Sequence, residues 1–467
     1  LIAENLKSRI PAQFKPFLKR IARIVPYRIR GGKVFREAYE LLKRSQWWSE
    51  AQLNDYQNEQ LQLLVKHAYQ HVPFYHRVFR ERKLTPADIR SAEDLPKLPL
   101  LTKDIIRYNI KELVAKNIPS RELEETKTSG STVSPLTFFW HKSFTDQREK
   151  AFLWTSYNIA GYRFNQPRVD FSLERVESGS WQYDPLERVL LLSAVALGPN
   201  QLDRYIEIIR EFRPKVLKSI PSNLIPLARH MADHRLPRFD SLQLILCGSE
   251  MIYPWQRSLI EDVFGVRLFS WYGQTERVIL GTECEQSNLY HLFPEYGITE
   301  IVDAGGLTVT STGTKGRMVG TGFNNYAMPL IRYQLGDIGA ISTKKCACGR
   351  SYHILSTFEG REQEYIINAK GELIPMVSIT YSSILEKAKQ FQFFQEKQGR
   401  VILRVVPFSI ITRQDTESMR LRLEKELPDV DVQIILVGEI DRGRRGKSKY
   451  IIQKLPIELQ SATAPWT

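Results

Sequence analysis

The stretch VRLFSWYGQTE, Val266 to Glu276, decides the fold. Its β-branched and aromatic run reads as a strand, and the polar turn behind it emerges at the strand's carboxyl end, where layered α/β sheets place ligands. There Tyr272 offers an aromatic face for a base, Thr275 a phosphate donor and Glu276 a carboxylate for Mg²⁺. Each is also an ordinary turn residue, so the combination carries the reading.

Outward from this turn, between about residues 120 and 345, the runs KVLKSI and LQLILCG alternate with helical stretches such as QLDRYIEIIREF. That alternation predicts a layered α/β domain. Upstream, EQLQLLVKHAYQHVPFYHRVFRE predicts a helix pair broken near Pro73. Downstream of EGREQE the pattern changes. EYIINAKGELI predicts a hairpin over Lys370 and Gly371, followed by a helix over SITYSSILEKAKQ. Strand RVILRVVP, helix TESMRLRLEKELP and strand DVQIILVG come next. The expectation is a small open-sheet α+β unit over residues 360–467, hinged near Gly360, behind a large domain over 47–359.

At 467 residues the chain is too long for one core, and its 42% hydrophobic and 25% charged content is that of an ordinary globular protein. No apolar run is long enough for a membrane span, and cations interrupt the start too often for a signal peptide. Because the chain begins at Leu1, the natural N-terminus is expected to lie upstream. The net charge of +14 is concentrated: residues 1–46 carry twelve Lys/Arg against three acids, which is +9 and leaves +5 elsewhere. FKPFLKRIARIVPYRIR interleaves apolar residues with cations, as a basic N-terminal arm or an interfacial helix on an anionic membrane surface does. This localised charge argues against a nucleic-acid role.

Four scattered cysteines make no disulfide framework and place the chain in a reducing compartment, by default the cytoplasm, with membrane association open through the arm. Cys284, His291, Cys346 and Cys348 are enough ligands for a closed tetrahedral structural zinc site, although four reduced thiols also pack as buried apolar groups.

TKTSGSTVSP, Thr126 to Pro135, holds six hydroxyl side chains and one glycine. Such a turn presents backbone N–H groups and hydroxyls together, as a phosphate loop does, or it is a flexible solvent loop. It is not a Walker loop, since no GK[ST] closes it. PLIRYQLGDIG offers Asp337, FEGREQE offers Arg361, and DRGRRGKSKY places Lys447 on a basic loop. Carboxylates suit ribose hydroxyls and a cation on a mobile unit suits developing phosphate charge, while a solvated basic loop is the plain alternative for Lys447.

These segments, in this order over roughly residues 50 to 455, resemble the adenylate-forming superfamily of acyl-coenzyme A synthetases. The resemblance is nearest to the phenylacetate-coenzyme A ligase branch and its relatives from capsular polysaccharide clusters. TSGSTVSPLTF, YGQTE, IRYQLGD, EGREQE and RGKSKY carry it, together with VPFYHRVFRERKLTPADIRSAEDLPKLPLLTKDIIR. It implies a multi-layer α/β N-terminal domain and a small mobile α+β lid. It implies further that Thr128, Ser129, Gly130, Ser131 and Thr132 cradle the β- and γ-phosphates of ATP, and that Gly248, Ser249 and Glu250 line the adenine pocket. Tyr272 would stack on the base, Thr275 meet the α-phosphate, Glu276 hold Mg²⁺ and Asp337 hold the ribose with Arg361 nearby. Lys447 would bridge carboxylate and α-phosphate. The implied reaction is activation of a carboxylic acid as an acyl adenylate, with pyrophosphate release and acyl transfer to coenzyme A. The cysteine pattern resembles a zinc site of the same branch.

Two departures stand out. Val133 occupies a position where the family loop has glycine, and a β-branched residue resists positive φ. Gln363 and Glu364 stand where the family commonly has consecutive aspartates. They keep open an inactive scaffold of the same fold, against which the retention of Glu276, Asp337 and Lys447 argues. The acceptor is equally open, because an amine, as on a sugar, would give an amide by the same activation. The acid pocket is expected between DFSLERVESGSWQYDPLERV and KSIPSNL, with Trp181 and Tyr183 lining it or lying in the core.

Overall fold

The computed structural model describes residues 31–128, 136–142, 144–172, 180–194, 197–309, 311–361, 364–379, 384, 387–408, 410–440 and 449–457. Nine helices occur among them: α1 (Lys33–Ser45), α2 (Glu50–His71), α3 (Pro73–Glu81), α4 (Lys103–Asn109), α5 (Phe144–Ile159), α6 (Pro199–Phe212), α7 (Pro221–Asp233), α8 (Pro254–Phe264) and α9 (Arg413–Glu426). The break at Pro73 follows from chemistry. Val72 is extended, as a residue before proline prefers, and Pro73 opens α3 at a position whose N–H has no intrahelical partner.

The first strands are the hairpin β1 (Leu123–Lys127) and β2 (Thr137–His141). Twelve more form one sheet: β3 (Arg168–Ser172), β4 (Trp181–Asp184), β5 (Val189–Ser193), β6 (Val216–Ser219), β7 (Leu244–Cys247), β8 (Leu268–Gly273), β9 (Leu280–Cys284), β10 (Ser287–Leu292), β11 (Gly297–Val302), β12 (Gly316–Gly322), β13 (Tyr333–Ser342) and β14 (Ile354–Arg361). Their spatial order is β11-β12-β13-β14-β10-β9-β8-β7-β6-β3-β5-β4. From β5 through β8 neighbours are parallel, whereas from β8 to β11 every pairing is antiparallel. The sheet changes character at β8, the strand of the opening stretch, and its carboxyl end faces the seam.

Side-chain alternation divides the parallel half into two buried faces. Leu217, Ile245, Cys247 and Leu268 pack with α6, α7 and α8, while Val216, Leu244, Leu246 and Phe269 pack with α1 and α5. A third core joins α2 and α3 to the antiparallel half. Helix α1 lies within the expected basic arm of residues 1–46. Phe35, Ala38 and Leu42, at helical spacing, bury α1 in the same core as α5, so the basic arm contributes a packed helix to the large unit. Its residues 1–30 lie outside the described residues.

Beyond Arg361 the remaining strands are the hairpin β15 (Tyr365–Ile367) and β16 (Leu373–Pro375), then β17 (Ala388–Lys397), β18 (Arg400–Pro407), β19 (Asp431–Leu436) and β20 (Ile451–Gln453). The last four make a separate sheet in the order β19-β18-β17-β20, packed with α9 around Phe393, Leu403, Met419 and Leu423. The expected hairpin, the strands at 400–407 and 431–436 and the helix before Pro428 are all present. The helix expected over 378–390 is not borne out at its end. Ala388–Gln390 open β17, because Phe391, Phe393 and Gln395 alternate inward at the period of a strand. Most of residues 380–386 lie outside the described residues.

Candidate active site and metal centre

The turn after β8 and the β13–β14 pair meet at the seam of the large sheet. Tyr272, near the end of β8, donates its hydroxyl hydrogen to Asp337 Oδ2 at 2.5 Å. Asp337 stands in register opposite Arg361, whose Nε lies 3.8 Å from Oδ1. Burial, reinforced by the Asp337 charge, holds the Tyr272 phenol well above its ordinary value, so it acts as a donor. The ring packs against Phe358 at 4.9 Å and Tyr290 at 6.2 Å and is 7% exposed. Most of the ring is therefore packed in the core.

Glu276 lies four residues on, where its carboxylate accepts a hydrogen bond from the Tyr333 hydroxyl at 2.9 Å. Tyr333 begins β13, so two strands that carry Asp337 and Tyr272 also fix Glu276. Thr275 is half-buried in the turn between them.

Gly248, Ser249 and Glu250 follow β7. A Cβ at Gly248 would clash with the Trp271 indole, which is a steric reason for glycine. Ser249 takes a left-handed conformation with φ 67°. Glu250 accepts from the Ser222 backbone N–H at 3.0 Å and from its hydroxyl at 2.9 Å, capping the first turn of α7 from outside. This structural task accounts for the acid and orients the loop at the carboxyl ends of β6 and β7.

Thr128 closes the base of the hydroxyl-rich loop: its Oγ1 accepts from Leu136 N, and its own N–H donates to Leu136 O, both at 2.9 Å. Ser129, Gly130, Ser131, Thr132 and Val133 lie outside the described residues, as do Gln363 and Lys447. Trp181 and Tyr183 are on the edge strand β4, 45% and 39% exposed, so they are not core residues. Sequence reading passed over Glu364 as a candidate ligand. Burial, opposed by Arg361 and reinforced by Asp337 and Glu250, pushes its carboxyl up to about 7. The sequence showed it only as an acid retained where the family commonly has aspartate.

The four expected metal ligands come together. Cys284 ends β9, His291 sits on β10, and Cys346 and Cys348 lie in the connection from β13 to β14. Pairing of His291 and of Ser342 with the same residue, Ile354, brings that connection over the hairpin. All four ligand atoms lie within 4.8 Å of one another, with Cys284 Sγ 3.7 Å from Cys346 Sγ and Cys348 Sγ 3.5 Å from His291 Nε2. A tetrahedron with metal–sulfur bonds of about 2.3 Å and a metal–nitrogen bond of about 2.05 Å has edges of about 3.8 and 3.5 Å, so the donors fit zinc. His291 Nδ1 lies 3.3 Å from Leu289 O, which as acceptor leaves Nε2 free to ligate. Burial lowers the imidazole's pKa and, with the neighbouring thiols, pushes Cys284 up to about 12. A bound cation would reverse the latter shift.

No protein-family model matches the chain. The phenylacetate-coenzyme A ligase of Thermus thermophilus is 26% identical over 355 residues, covering 73% of this chain and 78% of that protein. The chain is a relative of the phenylacetate-coenzyme A ligases. The protein CapK of Staphylococcus aureus is 21% identical over 451 residues, 91% of this chain and 95% of its own length. Among solved structures, 2-hydroxyisobutyryl-CoA ligase in its postadenylation state, bound to R3-HIB-AMP, superposes with a TM-score of 0.70 at 20% identity, covering 88% of this chain and 91% of that one. The fold is therefore that of the acyl-coenzyme A ligases, and the seam at β8 can be read in that light.

Proposed function

We propose that the chain activates a carboxylic acid with ATP as an acyl adenylate, releases pyrophosphate and transfers the acyl group to coenzyme A. The observation that carries this reading is the convergence of Tyr272, Asp337 and Arg361 with Glu276 and Tyr333 at one seam, in a relative of phenylacetate-coenzyme A ligases. Asp337 and Arg361 bind the ribose, Glu276 holds Mg²⁺, Thr275 meets the α-phosphate, and the Gly248–Glu250 loop borders the adenine. The loop from Thr128 to Thr132 takes the β- and γ-phosphates and Lys447 the carboxylate and α-phosphate.

A carboxylate oxygen attacks the α-phosphorus and pyrophosphate leaves. The protein's contribution is to hold two anions in line and offset the charge that develops. Mg²⁺, when bound, neutralises phosphate charge. Tyr333 fixes the carboxylate that would hold the ion, and Tyr272 fixes Asp337, so both acids are oriented before the substrate arrives.

We assign Cys284, His291, Cys346 and Cys348 to a structural zinc ion that fastens the β9–β10 hairpin to the β13–β14 connection. All four donors are protein groups, so the site braces the large unit and activates no water. Residues 1–46 form a basic N-terminal arm whose helix α1 packs on α5, residues 47–359 form the large domain, and 360–467 form the lid. Among the described residues no helix is long and apolar enough to cross a membrane. The positive charge of residues 1–46 suits an anionic membrane surface, which predicts salt-sensitive binding to anionic vesicles that is lost when this segment is removed.

The test is pyrophosphate release from Mg-ATP across a panel of carboxylic acids, with coenzyme A or amines as acceptors, beside Lys447→Ala. Release dependent on one acid and abolished by the substitution supports the reading. Product formed only with an amine would replace the thioester step by amide formation, and nucleotide binding without release for any acid would favour the scaffold.

A further inference from the structure

Glu364 is half-buried, and its Oε2 atom is buried with no hydrogen-bond partner among the described residues. Such orphaned atoms are rare and call for a partner. Its placement is specific. The Glu364 N–H donates to Arg361 O at 2.8 Å and the Met376 N–H to Glu364 O at 2.9 Å, which turns the side chain back over the end of β14. There Oε2 lies so close over Gly360 that any Cβ at that position would collide with it. Gly360 has φ 89°, so glycine is favoured by its backbone as well as by the space.

Among the described residues, the charged groups that act most on this carboxyl are Arg361, Asp337 and Glu250. They belong to β14, to β13 and to the loop after β7, the three elements assigned to ribose and adenine. Two carboxylates beside one guanidinium disfavour a phosphate there. They suit neutral hydroxyls, each of which donates to a carboxylate and accepts from a carboxyl group.

We infer that Glu364 is a nucleotide-binding residue whose carboxyl group takes a ribose hydroxyl beside Asp337. The inference rests on the nucleotide site proposed above. Its shift up to about 7 is consistent, because a buried acid that waits for a neutral partner retains its proton more readily than a solvated one. A bound hydroxyl satisfies Oε2 and leaves the Asp337–Tyr272 hydrogen bond intact.

Calorimetric binding of ATP, 2′-deoxy-ATP and 3′-deoxy-ATP to the full chain, to Glu364→Ala and to Glu364→Gln tests this without turnover. The parent should bind one deoxynucleotide about tenfold more weakly than ATP. Glu364→Ala should bind ATP about tenfold more weakly, with that discrimination reduced to about twofold, and Glu364→Gln, which keeps an acceptor of the same shape, should fall between. Equal discrimination in parent and Glu364→Ala, with both folded by circular dichroism, overturns the inference while sparing the nucleotide site. If Glu364→Ala does not fold, unchanged discrimination in Glu364→Gln together with unchanged ATP affinity overturns it. A parent that binds none of the three nucleotides overturns the nucleotide site and this inference together.

Discussion

Tyr272 and Asp337, 65 residues apart in sequence, share a buried hydrogen bond of 2.5 Å across the seam where the parallel and antiparallel halves of the sheet meet. The bond makes Tyr272 a positioning residue for an acid that also faces Arg361. Tyr272→Phe removes the donor but keeps the ring against Phe358. It should cost about 1–3 kcal/mol of stability and weaken ATP binding severalfold. Asp337→Asn should weaken ATP binding further with a smaller stability change. Calorimetric titration and melting of both variants check the order, and a Tyr272→Phe protein with parental ATP affinity would assign the bond to the core alone.

The metal centre makes a stoichiometric prediction. Elemental analysis should find about one zinc per chain, lost in Cys346→Ser and Cys348→Ser together with several kcal/mol of stability. Cys247→Ser is the control, because Cys247 is buried in β7 with the α6–α8 core and should leave the metal in place. A stable parent with no zinc would remove the site from the account.

Glu364 predicts a pH dependence of defined sign. Its folded-state carboxyl is raised to about 7 from an ordinary 4.5, so the folded state holds the proton while the unfolded chain releases it. Stability therefore falls as pH rises through that window and is flat above it. Glu364→Gln escapes the penalty, so its stability relative to the parent should increase between pH 5 and 7.5 by on the order of 1–3 kcal/mol. Glu283, also pushed up to about 7, titrates in both proteins and cancels in the difference. A constant offset at all pH values would contradict the prediction.

Side chains of α7, of α8 and of the residues just before α8 join the large unit to the small sheet, with Tyr253 in the small unit's core and Trp255 against Phe391. Tyr450, just before β20, meets Tyr253 edge-on at 5.3 Å and accepts a hydrogen bond from Gln256 Nε2 at 2.9 Å. Arg229 of α7 donates to Ala388 O at 2.5 Å and Lys389 O at 3.2 Å. Units of one chain joined in this way can move relative to each other once such contacts are broken. Tyr450→Ala should convert one cooperative melting transition into two, measured by scanning calorimetry, and an unchanged single transition would place the coupling elsewhere.

What was legible in the sequence followed local chemistry. The strand at 268–273 and its polar turn, the break at Pro73 and the hairpin around Gly371 each rest on residues whose preferences are set within a few positions. The cluster of Cys284, His291, Cys346 and Cys348 was legible because cysteine and histidine are scarce and chemically specific. The buried face of Tyr272, the capping role of Glu250 and the orphaned oxygen of Glu364 depend on strands far apart in sequence, and no local pattern encodes them. The strand at 388–397 was missed because its first residues, Ala-Lys-Gln, are good helix formers, and the alternation of Phe391 and Phe393 begins only after them.

The central claim is that a carboxylate oxygen of the substrate attacks the α-phosphorus of ATP, and isotope transfer tests it most directly. Once the acid that supports pyrophosphate release is known, its carboxylate is labelled with ¹⁸O and the products of complete turnover are analysed by mass spectrometry. The account predicts one ¹⁸O atom in the phosphoryl group of AMP. Label found instead in inorganic phosphate, with ADP as the nucleotide product, would mean activation through an acyl phosphate and would contradict adenylation at this site.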